Sequence, residues 1–372
     1  MIIYILTFVI AIIFSYIAEC NQNNKKIYYV CIGVIVLLLS VVAGVRDIGV
    51  GTDTLTYSES YFILGSSCKS LKDVLCYDGN SIDKAYLLLN YLGSLFSNNV
   101  WIALFLTEFV ISAVIFMGAS LYFKRTKGLT LFTFFYLFIF YNQSLNYMRQ
   151  MCAVSFVFVA FYFFIKKKWI IAVLLSVISY YFHSSGILGL FIPIFYYICQ
   201  LENKKLRNLY LCIAFIFSIV LYSNFYYYLG LIGNSSLISD VYVDRYGNSS
   251  TYIGMVKFPK TDLLIMSFIY IFYYISLKQN LVNKNICLFG FVIHTFYIII
   301  YMFSTFVVFL YRMSLYFYII DIILLVMILT SVKGYRIIRC LFYFIVILSW
   351  YYLYIIKNSC ETYPYTSRIL GL

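Results

Sequence analysis

Residues 100–168 read VWIALFLTEFVISAVIFMGASLYFKRTKGLTLFTFFYLFIFYNQSLNYMRQMCAVSFVFVAFYFFIKKK, and this stretch decides the fold. It holds three apolar runs, 100–123, 129–145 and 147–165. The first gap is Lys124-Arg125-Thr126-Lys127, the second is the polar turn Asn142 to Gln150, and the third run ends on Lys166-Lys167-Lys168. An apolar run of about 20 residues crosses the ~30 Å hydrocarbon core as a helix. A helix also satisfies its own backbone in lipid. Successive gaps then fall on opposite faces of a membrane, and cytoplasmic loops collect Lys and Arg. The polar turn, with its isolated Arg149, is outside.

The same alternation runs through the whole chain. Further basic clusters are Lys25-Lys26, Lys204-Lys205-Leu206-Arg207, Lys278 with Lys284, and Lys333 with Arg336 and Arg339. Twelve spans are expected: 1–19, 27–45, 100–123, 129–145, 147–165, 169–182, 185–199, 208–230, 261–277, 286–309, 313–331 and 337–356. Both termini then lie outside. The chain reads as a single integral membrane domain, 1–372, with larger extracytoplasmic loops at 46–99 and 231–260 and an outer tail at 357–372. Short surface helices are expected in the first loop. Met1 to Ala18 resembles a signal peptide, but no small-residue cleavage site follows, so it is read as the first span.

Composition agrees. The 372 residues are 64% hydrophobic and 11% charged, against roughly 25% charged in a soluble domain, and mean hydropathy is +0.92. Barrel strands would alternate polar and apolar residues, and these runs do not. The net charge of +13 does not call for nucleic acid, because it is one-sided. On this topology 16 of 27 basic residues lie inside with two acids, Glu19 and Glu202. Ten cysteines include no CxxC pair, so no metal or redox motif is read. Only Cys68 and Cys76 share an outer loop, where a disulfide is chemically open to them.

Four constellations on the outer side carry chemistry. Arg46-Asp47-Ile48-Gly49-Val50-Gly51-Thr52-Asp53-Thr54, with Tyr57, begins where the second span exits. Its glycines permit tight backbone, Asp53 or Thr54 suits a helix cap, and Arg46 can hold phosphate in a fork. In the turn 142–150, Asn142, Asn146 and Arg149 recur at helical spacing as one polar stripe, with Gln143 and Gln150 seven apart. His183-Ser184-Ser185-Gly186 follows a run of only 14 residues, 169–182. That run is about 21 Å long at ~1.5 Å per residue, so the turn is expected below the outer surface, in a recessed cavity. Arg312 opens a span on the same side. Asp321 is nine residues deeper and turned away from it, and with Glu108 it is read as structural. His294, in an apolar run, is read as a satisfied packing residue.

In order and spacing, Arg46-Asp-x-x-Val50-Gly51-Thr52-Asp53-Thr54-x-x-Tyr57, Asn146-Tyr-x-Arg149-Gln150-x-x-Ala153, His183-Ser184-Ser185, Tyr311-Arg312-x-x-x-Tyr316 and the terminal Tyr363-Pro364-Tyr365 resemble the EpsG family of Wzy-type polysaccharide polymerases. The resemblance implies a helical fold like that of the GT-C glycosyltransferases and a metal-independent transfer without cofactor. It implies a multi-pass protein of the cytoplasmic membrane that joins undecaprenyl-diphosphate-linked oligosaccharides on the outer face, with a chain-length regulator and a flippase as companions. Arg149 and Arg312 would clamp the diphosphate, with Arg46 assisting. Asn146, Gln150, Thr52 and Tyr57 would line the substrate site. Asp53 or His183 would be the base. A polyprenyl-linked oligosaccharide flippase and an O-antigen ligase are the alternatives.

Overall fold

A computed structural model describes residues 1–77, 83–124, 126–224, 260–279, 283–305, 308–331, 334 and 336–372. The expected loop at 231–260, with Asp244 and Arg245, lies outside the described residues apart from Lys260, and so do Arg125 and Lys333. All regular structure among the described residues is helical. Among the described residues, eight helices are long and apolar enough to cross a membrane: Ile2–Cys20, Lys25–Gly44, Trp101–Phe123, Met148–Ile165, Lys204–Ser223, Lys284–Met302, Leu310–Ser331 and Arg336–Ile356. Trp169–Phe182, Ser184–Gln200 and Ile265–Lys278 are apolar but shorter. The expected span at 129–145 is helical throughout, as α-helix Leu129–Tyr136, π-helix Leu137–Tyr141 and α-helix Asn142–Asn146.

The elements are labelled α1 (Ile2–Cys20), α2 (Lys25–Gly44), α3 (Ser60–Ser67), α4 (Leu71–Leu75), α5 (Lys84–Ser94), α6 (Trp101–Phe123), α7 (Leu129–Tyr136), α8 (Asn142–Asn146), α9 (Met148–Ile165), α10 (Trp169–Phe182), α11 (Phe191–Gln200), α12 (Lys204–Ser223), α13 (Lys260–Gln279), α14 (Lys284–Met302), α15 (Leu315–Ser331) and α16 (Arg336–Trp350). The first loop carries α3, α4 and α5, as expected. Its Cys68 and Cys76 are free thiols.

The chain forms two compact units. The first comprises Met1–Asp78, Asp83–Ile187 and Leu325–Leu372, and the second Gly79–Ile82 and Leu188–Leu324. In the first, α1 buries Tyr4, Thr7, Phe8, Ala11, Ser15 and Ala18. This is a three-and-four spacing, with small residues where neighbouring backbones come close. Gly44 serves the same end: a Cβ there would lie 2.8 Å from Phe105 Cβ on α6. The carboxylate of Glu19 accepts the Gly128 and Thr130 amides at 3.0 and 2.9 Å. An anion at the start of α7 suits the helix dipole, which gives one of the two acids expected inside a structural role.

The second unit packs α13, α14 and the Leu315–Leu324 part of α15. His294 and Asp321 are fully buried there and meet at 2.7 Å through Nδ1 and Oδ2. Tyr273 donates to Asp321 Oδ1 at 2.8 Å, and His294 Nε2 lies 2.8 Å from the Met266 carbonyl. Only a protonated Nε2 can bond a carbonyl oxygen, so a second proton lies between Nδ1 and Oδ2. His294 is thus a satisfied packing residue, with partners on both ring nitrogens. It is tied to the acid that the sequence turned toward an unnamed neighbour.

Candidate functional site

The site in the first unit starts with the loop that follows α2. Arg46 is 4% exposed. Its Nη2 donates to the Leu145 carbonyl at 2.7 Å and lies 3.3 Å from Thr54 Oγ1 and from Met148 Sδ. Nε and Nη1 are buried without a hydrogen-bond partner. Burial pulls its pKa below the ordinary value, while nearby groups that include Glu108 oppose this. Glu108 is held by the Ser112 and Ser144 hydroxyls at 2.7 and 2.8 Å.

Gly51 has a φ of +97°, and a Cβ would sit 3.2 Å from the Leu145 carbonyl oxygen and 3.0 Å from Thr54 Oγ1. Only glycine fits that conformation and that approach. The turn then presents Thr52 Oγ1 and the Asp53 amide to one acceptor, Asn146 Oδ1, at 3.0 and 2.8 Å. Asp53 stands at the N-cap of a π-helix, Thr54–Glu59, without a side-chain cap bond. Tyr57 lies in that π-helix.

The turn 142–150 does not form one continuous stripe. Tyr147, at φ −87° and ψ 48°, breaks the helix. Asn142 and Asn146 belong to α8, and Arg149 to the first turn of α9. Asn142 donates to Thr362 Oγ1 at 2.9 Å and accepts Trp350 Nε1 at 2.8 Å. The spacing holds in sequence, but the break gives its two ends different roles.

A cation in the first turn of a helix faces the positive end of the dipole. Arg149 is compensated there by Asp83, which accepts from Nη1 at 2.7 Å, and by the Tyr61 hydroxyl at 3.2 Å. Its guanidinium carbon lies 3.9 Å from the centre of the Tyr57 ring and 5.4 Å from that of Tyr61. Tyr61 also accepts the Asp83 amide at 3.0 Å. The Arg149 and Asp83 side chains are 14% and 15% exposed. Burial pushes the Asp83 carboxyl up to about 6, and Arg149 limits the rise. Sequence reading missed Asp83, because an acid just before an apolar helix reads as its cap. Asp83 occupies that N-cap position but makes no side-chain cap bond.

Gln150 donates to Ser185 Oγ at 3.4 Å. The Ser185 amide donates to His183 Nδ1 at 3.2 Å, and its hydroxyl lies 2.7 Å from the same nitrogen. An amide can only donate, so Nδ1 presents a lone pair and the neutral ring carries its proton on Nε2.

The C-terminal tail closes over the first loop. Tyr4 donates to the Thr362 carbonyl and Tyr365 to the Val42 carbonyl, both at 2.7 Å. The Gly51 amide donates to the Glu361 carbonyl at 2.8 Å, and that of Asp47 to the Thr366 carbonyl at 2.9 Å. The Arg368 amide donates to Asp47 Oδ1 at 3.0 Å. The first unit thus gathers Arg46, Thr52, Asp53, Tyr57, Asn146, Arg149, Gln150 and His183. Arg312 belongs to the second unit, half-buried in the 3-10 helix Val308–Ser314 that leads into α15.

These features define a polytopic helical membrane protein with a cluster of arginine, acid, amide and imidazole side chains around the start of α9. The EpsG family model matches residues 29–367, and the chain belongs to this family of Wzy-type polymerases. No curated protein and no solved structure matches the chain.

Proposed function

We propose that this protein is a polysaccharide polymerase that joins polyprenyl-diphosphate-linked oligosaccharides on the outer face of the cytoplasmic membrane. The observation that carries this is the setting of Arg149. It is a partly exposed guanidinium laid on a tyrosine face, in a first helical turn where the dipole disfavours a cation. Such a charge at membrane level marks a working site, and its planar fork suits phosphate.

In the reaction an acceptor hydroxyl oxygen attacks the anomeric carbon. The carbon–oxygen bond to diphosphate breaks, and negative charge grows on the leaving group. Arg149 stabilises that charge more in the transition state than in the ground state. Arg46 supports the site from beneath by holding the Leu145 carbonyl, and Thr52, Tyr57, Asn146 and Gln150 shape its wall. The hydroxyl proton passes to Asp53 or His183. His183 must first exchange its tautomer to accept at Nε2, whereas Asp53 accepts directly.

The test is polymerisation of a purified lipid-linked repeat in detergent. Arg149→Lys keeps the charge and loses the fork, and turnover should fall by about tenfold or more. Full turnover in that variant would remove the clamp. In cells, loss of long polymer with single repeats still exported fits the polymerase. Lipid-linked units trapped inside would indicate a transporter.

A further inference from the structure

We propose that Asp83 is a positioning residue for Arg149: it is the resting counter-ion that aims the guanidinium, and an anionic substrate must displace it. The inference rests on the reading of Arg149 as a diphosphate ligand. It adds a residue to the site and a pH dependence to binding.

The geometry is that of a held but exchangeable pair. Asp83 Oδ2 and Arg149 Nη1 are 2.7 Å apart, and both side chains keep some access to solvent. The Tyr61 hydroxyl accepts from Nη1 and from the Asp83 amide, so one phenol fixes both partners. The Tyr57 and Tyr61 rings hold the plane of the guanidinium. An incoming diphosphate offers the same kind of oxygen acceptor as the carboxylate. It cannot share a fork with an ionised Asp83 without placing like charges side by side.

The groups facing Asp83 are few. Arg149 comes from α9, Tyr61 from α3, and Tyr57 from the π-helix before it. On α5 itself, buried Tyr86 packs against Tyr61 with ring centres 5.1 Å apart. Further charges on these elements are the exposed Lys72 and Asp73 on α4, with Asp73 occupied by the Lys69 and Ser70 amides, and Lys84 on α5, whose Nζ donates to the Leu75 carbonyl at 3.1 Å. Glu108, on α6, is bonded to Ser112 and Ser144. The α10 helix carries no charged residue. Burial and Arg149 are what set the carboxyl near 6. Asp83 is therefore ionised and in competition at pH 7.5, and largely protonated at pH 5.5.

Sugar-free undecaprenyl diphosphate is the probe, and its affinity is measured on the full-length protein in detergent at pH 5.5 and 7.5. Asp83→Asn should bind it more tightly than wild type at pH 7.5, on the order of tenfold for a group titrating near 6. The two proteins should converge at pH 5.5. The probe loses charge at low pH in both, so the ratio between them is what is read. Equal affinities at both pH values, or weaker binding by Asp83→Asn, would overturn the proposal. Arg149→Gln separates the two readings. If it binds like wild type, the diphosphate reading has failed. If it loses the probe while Asp83→Asn equals wild type, only the role of Asp83 has failed. Should Asp83→Asn not fold, Asp83→Ser replaces it, and its affinity is likewise read as a ratio to wild type at the two pH values. A ratio above one at pH 7.5 that closes toward pH 5.5 supports Asp83, and a ratio that does not change with pH overturns it.

Discussion

Asp83 also makes a stability prediction at the scale of a single side chain. Its carboxyl is raised from 3.8 to about 6 in the folded protein. Between those values the folded state holds a proton that the unfolded state has released. Stability therefore falls as pH rises through that window and is level above it. The whole effect is at most about 3 kcal/mol. Thermal unfolding in detergent at pH 4 and pH 7 should show this slope in wild type and a shallower one in Asp83→Asn. Asn146 is the second informative residue. Its single carbonyl oxygen takes both Thr52 Oγ1 and the Asp53 amide. Asn146→Ala should cost about 2 kcal/mol for two lost bonds, read as a lower midpoint in the same assay. Both residues lie in stretches that sequence marks as polar, but only contacts across the fold distinguish the counter-ion from the brace.

At the scale of elements, the packing of α13, α14 and α15 depends on a polar cluster in an apolar setting. Tyr273, His294 and Asp321 come one from each helix, and their five polar side-chain atoms all have partners. Asp321→Leu strands the His294 Nδ1, leaves the Tyr273 hydroxyl only the main-chain carbonyl of residue 321, and should cost about 3 kcal/mol. Asp321→Asn should recover most of this, within about 1 kcal/mol of wild type. Its amide donates to Nδ1 and its carbonyl accepts from Tyr273, as the protonated acid would. Unfolding midpoints of the two variants compare them directly, and an Asn variant as unstable as the Leu one would show that the pair must be charged. Sequence named both residues but left them unpaired. Their separation of 27 positions carries no helical period, so only the packing of two helices brings them together.

At the scale of the molecule, the C-terminal tail is part of the first unit rather than an appendage. It supplies the Glu361 and Thr366 carbonyls to the Gly51 and Asp47 amides, and Tyr365 reaches back to Val42. Removing residues 358–372 should leave the helices in place but free the loop at 46–54. Limited proteolysis should then cut within 46–54, where the full chain resists, and polymerisation should be lost. Unchanged protection would show that α8 alone holds the loop through Asn146.

The sequence by itself determined that this chain crosses a membrane many times, because the length of an apolar run and the sidedness of lysine and arginine are local quantities. It also marked Arg46, Asn146, Arg149, His183 and Arg312, since polar side chains are costly in lipid and stand out in any apolar run. Tertiary structure decided what each of these touches. Arg46 turns inward to a carbonyl 99 positions away, and Arg149 meets an acid 66 positions away. Such pairings follow from how helices pack in space, and no periodicity along the chain encodes them.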